Sequence, residues 1–186
     1  MLHTAAMAIL PITIYPAQIL QQRANAVANI TDEIRTVLND MAMTMYAAPG
    51  VGLAGPQVNV GLRICVIDVG EPVPLTEDDN NDGNPRTPKL YQLINPAIVA
   101  SAGHTCWNEG CLSLPDLLVD MERHAHVVVN AMTPDEKPIT IGAHGLLAVA
   151  LQHEIDHLDG KLIIDHVGRI KRGLYLSKLK KRETNG

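Results

Sequence analysis

The stretch Gln152-His153-Glu154-Ile155-Asp156-His157 constrains this chain more than any other, because it sets an H-E-x-x-H pattern directly after the apolar run Leu146-Leu147-Ala148-Val149-Ala150-Leu151. A run that is apolar on all sides is the mark of a helix buried in a core. On such a helix His153 and His157 share one face, with Cβ atoms about 5–6 Å apart. Both imidazoles can then reach one metal ion at about 2.0–2.1 Å. Glu154 follows the first His, so its carboxylate borders the metal without ligating it, which is where a general base for a metal-bound water belongs. With 8 His in 186 residues, the pattern arises by accident in about one or two of a hundred such chains. Burial of two histidines and a glutamate demands partners, and a metal ion satisfies all three.

The remainder of the chain is bounded by its size and charge. At 186 residues it is read as one catalytic domain, 1–186, long enough to bury a core. The 46% apolar and 19% charged fractions are ordinary for a soluble globular protein, and with no Phe the core must be filled by Leu, Ile, Val, Met and Ala. A formal charge of −5 gives no support to general nucleic-acid binding. No apolar run approaches a membrane span, and the start, Met1 to Met7, lacks the basic segment of a signal peptide. Three irregularly spaced Cys make no disulfide framework and fit a cytoplasmic compartment with reduced thiols.

Along the chain, Ile9 to Tyr15 reads as extended. Thr31 is placed as an N-cap with Asp32 and Glu33 in the first turn. Ile34, Leu38, Met41 and Met45 recur at helical spacing as a core stripe, and the helix is expected to stop before Pro49. The glycine-rich segment Gly50 to Gln57 is an unusual loop without the Lys-Ser/Thr ending of a phosphate loop. Strands are expected at Leu62 to Val69, at Leu90 to Val99 with a break at Pro96, and at Ala125 to Met132. Residues 71–89 read as an acidic surface loop. Trp107 to Pro115 reads as a constrained segment around Cys111. The His-bearing helix is expected to end near Gly160, and residues 169–182 form a basic helix with Ile170 and Leu174 on one face.

A catalytic zinc-type site needs a third protein ligand. Spacing leaves Cys65, Cys106, Cys111 and distant carboxylates or histidines open. Here three motifs carry a resemblance. Gly50 to Gln57 is similar to G-x-G-x-A-A-P-Q, Glu109 to Ser113 matches E-G-C-L-S, and Gln152 to His157 matches Q-H-E-x-D-H. In this order they resemble the peptide deformylase family, from about Ile9 to Lys181. The resemblance implies an α+β fold in which the H-E-x-x-H helix is enclosed by mixed or antiparallel sheets, with an N-terminal and a C-terminal helix. It implies that Cys111, His153 and His157 bind one divalent metal, Fe²⁺ by preference, with Zn²⁺, Ni²⁺ or Co²⁺ able to take its place. Glu154 is then the general acid/base, and Gln57 with the backbone N–H of Leu112 forms the oxyanion hole. Val51, Gly52, Glu109, Leu146 and Val149 are placed at the substrate pocket. The implied reaction removes the N-formyl group from the formylmethionine of nascent proteins, by attack of a metal-bound hydroxide, and releases formate. The implied partners are N-formylmethionyl peptides and the ribosome, the latter through the basic C-terminal helix, with no membrane. The implied location is a bacterial-type cytoplasm or an organelle matrix.

The chain departs from the family pattern in several places. Gly55 stands where Ala is usual, from which a more mobile loop is expected. Leu118 stands where some bacterial members carry Arg at the pocket mouth, with Arg123 as an alternative cation for that space. The 71–89 loop is long, and residues 1–8 extend upstream of the usual start. The rival readings are an H-E-x-x-H metallopeptidase with a third His or Glu ligand, and a catalytically silent deformylase-like binding protein.

Overall fold

The structure, a computed structural model, describes residues 8–72 and 86–185. In chain order the strands are β1 (Gly52–Ala54), β2 (Ile64–Ile67), β3 (Glu71–Pro72), β4 (Arg86–Thr87), β5 (Tyr91–Ala102), β6 (Thr105–Cys111), β7 (Leu114–Arg123), β8 (His126–Met132) and β9 (Pro138–His144). Three helices accompany them: α1 (Asp32–Ala47), α2 (Gly145–Leu158) and α3 (Arg169–Asn185).

The β-branched run Ile64–Ile67 becomes β2, and every residue of it is buried because both faces of its sheet are covered. That sheet has the order β1-β2-β5-β8-β9, with antiparallel neighbours throughout. Successive side chains point to opposite faces. Cys65 and Ile67 therefore join Leu93, Val129 and Ile141 against Leu151, Ile155 and Leu158 of α2. Ile64 and Val66 join Leu53 and Ile94 against Leu38, Met41 and Met45 of α1. The methionine stripe is core packing, and α1 and α2 cover opposite faces of one sheet.

A separate two-stranded ribbon, β6–β7, lies on the far side of α2. Leu114, Leu117, Val119 and Met121 of its inner face pack against Ile163, Ile164, Tyr175 and Leu179, which docks α3. The His-bearing helix thus sits between the five-stranded sheet and the ribbon, as the α+β expectation requires.

Several local expectations change. Thr31 is the N-cap residue but makes no side-chain capping bond; its hydroxyl bonds the Glu33 carboxylate instead, which lowers that group's pKa. β5 runs through Pro96 and absorbs it in a register shift between Ile94 and Ala97. The constrained segment around Cys111 is the tip of a ribbon that period-2 reading missed, because Pro115 and the left-handed Asp116 (φ 61°) break the alternation in β7. The two ends of the acidic loop pair as β3 and β4, and Lys89 forms an ion pair with Glu71; residues 73–85 lie outside the described residues. So do residues 1–7 of the expected extension, whereas the backbone N–H of Ala8 donates to Asp40 at 2.8 Å. Ile170 and Leu174 are exposed, at 84% and 69%, since α3 buries Tyr175 and Leu179 instead.

Candidate metal centre and active site

Helix α2 supplies two imidazoles and a carboxylate from one buried turn. His157 and Glu154 are almost fully buried, and the His153 side chain is 12% exposed. The ribbon supplies the third donor, because β6 ends at Cys111 and delivers its thiol against this turn. Cys111 Sγ lies 3.2 Å from His157 Nε2, across 46 residues of chain. The donor atoms of Cys111, His153 and His157 all fall within 4.8 Å of one another. Cys65 is buried in the sheet and burial raises its pKa well above the usual thiol value. Cys106 is exposed on the ribbon.

One thiol and two imidazoles suit a thiophilic divalent ion with an open coordination position, and the buried charges fit that reading. His153 Nδ1 is 2.8 Å from Glu109 Oε2, which directs its Nε2 toward Cys111 and His157. Against the opposing effect of burial, the bonds to Cys111 and Glu109 raise the His153 pKa well above its usual value. Burial, with the nearby cations His153 and Arg123, lowers that of His157.

Glu109 is itself anchored. Arg123 donates to both of its oxygens, at 2.7 and 2.9 Å, and to Asp156 at 2.5 Å. Burial would raise the Glu109 pKa, but the bonds from Arg123 and His153 hold it at about 2. Both carboxylate oxygens are bonded, and Glu109, expected at the substrate pocket, lines the cavity into which these groups open while it also orients His153. Arg123 is buried behind Glu109 and does not cover the pocket mouth. Sequence reading missed this chain of Asp156, Arg123, Glu109 and His153. Asp156 lay inside a recognised motif, but Arg123 carries no local signal and its partners appear only once the ribbon is folded.

Glu154 is raised to about 7, mainly by burial, and its Oε2 has no hydrogen-bond partner. Its position dictates a glycine. A Cβ on Gly52 would fall 2.2 Å from Glu154 Oε1. Gln57 is fixed by accepting from the Ala54 N–H at 2.8 Å, which turns its Nε2 toward Cys111 Sγ at 3.6 Å. Leu112 occupies the ribbon turn, and its side chain fills the space a Cβ on Gly50 would take. Gly55 is buried, and a Cβ there would meet the carbonyl oxygens of Leu62 and Val60 at 2.7 and 2.8 Å. The glycine marks close backbone approach.

These groups open into a cavity of about 580 Å³. Val51, Gly52, Leu146 and Val149 line it, joined by Trp107 and Pro115 of the ribbon, which sequence reading did not place there. Leu118 is 58% exposed beside the ribbon's Gly110. Among the described residues no helix is long and apolar enough to cross a membrane.

Known proteins are similar to this chain in sequence and fold. The family model for polypeptide deformylase matches residues 9–173. A peptide deformylase of Syntrophobacter fumaroxidans is 47% identical over 176 residues, covering 95% of this chain and 96% of the relative. Among solved structures, a peptide deformylase from Legionella pneumophila superposes with a TM-score of 0.81 at 38% identity, covering 95% of this chain and 96% of that one. The Ehrlichia chaffeensis peptide deformylase in complex with actinonin gives 0.82 at 33% identity, covering 95% and 99%. With the family model spanning most of its length and relatives of this identity over nearly all of it, the chain belongs to the polypeptide deformylase family of hydrolases.

Proposed function

We propose that this protein hydrolyses the N-formyl group from the terminal methionine of nascent proteins and releases formate. The observation that carries the reading is the convergence of Cys111, His153 and His157 within 4.8 Å beside a buried, unpartnered Glu154. In this reading Cys111, His153 and His157 hold one divalent ion, iron(II) by preference, with zinc, nickel or cobalt as substitutes. When bound, that ion supplies the Lewis acidity that makes water a nucleophile at neutral pH.

The chain's own residues do the rest. Glu154 takes a proton from the attacking water and passes it to the departing amine nitrogen, so that the amide N–C bond breaks to formate and a free amino terminus. Gln57 donates from Nε2 to the formyl oxygen as charge builds there, and the Leu112 N–H is the second donor. Such contacts are worth about 3–4 kcal/mol in other enzymes. The bond from Ala54 to Gln57 Oε1 means the first donor is oriented before substrate arrives. Val51, Leu146 and Val149 offer the methionine side chain an apolar wall. Nascent chains meet the protein at the ribosome, where the basic residues of the C-terminal helix, among them Arg169, Lys171 and Lys180, offer contacts to ribosomal RNA phosphates. Binding there is expected to weaken steeply with salt.

Formate release from formyl-Met-Ala by iron-loaded protein tests the reading, with unformylated protein as the control substrate. Formate release that actinonin suppresses is expected. Cleavage of internal peptide bonds, or no formate from fully metallated protein, would overturn it.

A further inference from the structure

The open end of the β6–β7 ribbon gathers metal-binding side chains that deformylation does not use. Cys106 and Glu122 are direct cross-strand partners. One step outward Thr105 pairs with Arg123. His104 and His124 therefore face each other at the junction of the ribbon with β5 and β8, with ring centroids 5.7 Å apart. Strand alternation sets His104, Cys106, Glu122 and His124 on the outer face, the face on which Asn108 donates to Asp120 at 2.7 Å. His104 Nδ1 already lies 3.2 Å from Glu122 Oε1, and both side chains are well exposed. Cys106 is exposed as well. His124 is held in place from behind. Its N–H donates to Gln152 Oε1 at 2.9 Å and its carbonyl accepts from Gln152 Nε2 at 3.0 Å.

We propose that His104, Cys106, Glu122 and His124 form a second, non-catalytic site for a thiophilic divalent transition metal such as zinc. Two imidazoles, a thiolate and a carboxylate supply a tetrahedral donor set, and the thiolate selects against magnesium and calcium. Direct cross-strand Cβ atoms lie about 4.5–5.5 Å apart and diagonal ones about 7–8 Å, so four side chains can converge on one ion at about 2.0–2.3 Å. Among the described residues only Cys111, His153 and His157 have donors already gathered within 4.8 Å. The ribbon site closes by rotation of three exposed side chains and the half-buried His124, and Cys106 gives up its thiol proton to solvent as it binds. Lys161 and Arg123 border the adjoining cavity, but Arg123 is neutralised by Glu109 and Asp156, and Asp120 adds negative charge on the outer face. A two-stranded ribbon is marginal by itself, and this one carries Cys111 at its far end. An ion there adds a side-chain cross-link at the place where the ribbon runs on into β5 and β8, which are joined by the Ala125 N–H to the Gly103 carbonyl at 3.3 Å and by the pairing of Ala102 with His126.

The test uses protein carrying its first equivalent of metal, dialysed against zinc, with bound metal counted and melting recorded. The parent should take up a second equivalent and melt higher. Cobalt in that equivalent should show thiolate-to-metal charge transfer. Cys106→Ser, and separately the double variant His104→Ala with His124→Ala, should keep the first equivalent and lose the second. Unchanged melting of these surface variants in chelator shows that they fold. A parent that binds one equivalent only, or a second equivalent that survives both variants, overturns the proposal. So does a second equivalent that appears only with dimers in size-exclusion chromatography, since the ion then bridges two copies.

Discussion

Helix α2 and the β6–β7 ribbon contribute to the same cluster of side chains, yet they are built in opposite ways. The helix is wedged against a five-stranded sheet, and its chemistry lies within six consecutive residues, Gln152 to His157. The ribbon is a two-stranded sheet of its own. It reaches the site through single side chains: Cys111 at its tip, Glu109 along its inner face, and Arg123 at its open end binding back to Glu109 and Asp156. The helix fixes what the site can do. The ribbon fixes how accurately the site is held, and the buried Arg123–Glu109 pair adds to the apolar packing of its inner face.

The largest effects should separate these contributions by metal content. Glu154→Gln on the helix should keep metal and melting temperature while kcat falls by roughly 10²–10⁴-fold with KM little changed. Near-normal kcat with full metal would rule out the proton-transfer role. Cys111→Ala on the ribbon should lose metal and turnover together, whereas Cys65→Ala keeps both; full occupancy in Cys111→Ala would break the assignment.

Next in size is Arg123→Met, which leaves Glu109 buried without its cation and should destabilise the protein by about 3–5 kcal/mol in chemical unfolding. The sign with pH follows from Glu109. Its pKa is depressed to about 2, so its stabilisation is present above the ordinary carboxylate value of about 4.3 and fades as pH falls toward 2. The variant lacks that protection, so its acid unfolding should begin at a higher pH than the parent's. Coincident acid transitions would show that the ribbon does not depend on this ion pair.

Gly55→Ala should cost about 1–3 kcal/mol, typical of overpacking, since its Cβ would meet two carbonyl oxygens; an unchanged melting temperature would show that the loop yields. The smallest effect is expected at Leu118, exposed on the ribbon. Leu118→Arg should raise kcat/KM for formyl-Met-Asp relative to formyl-Met-Leu by less than about tenfold, with stability unchanged; equal ratios in both proteins would remove Leu118 from specificity.

The same contrast explains what was legible in the sequence. His153, Glu154 and His157 are local, so helical spacing alone aligns them. The Leu38, Met41 and Met45 stripe and the β2 run were readable for that reason too. The third donor was not: Cys65, Cys106 and Cys111 stayed open on spacing, and only the E-G-C-L-S resemblance favoured Cys111. Arg123 illustrates the limit. Its partners are Glu109, 14 residues away, and Asp156, 33 away, and no periodicity reports a pairing that depends on tertiary folding. Ile170 and Leu174 mislead in the other direction, because helical spacing identifies a face without saying whether anything covers it.

The junction of Cys111 and His157 also bears on how the chain reaches and keeps its fold. Their donor atoms are 3.2 Å apart in space and 46 residues apart in sequence. An ion gripping both closes a loop that contains β7, β8, β9 and α2, and so restricts the unfolded chain much as a covalent cross-link would. Each tenfold rise in free ion above its dissociation constant adds about 1.4 kcal/mol to the folded state. If the proposed ion is held there, copies that lack it would be the ones more open to proteolysis, and limited proteolysis with and without added ion checks this.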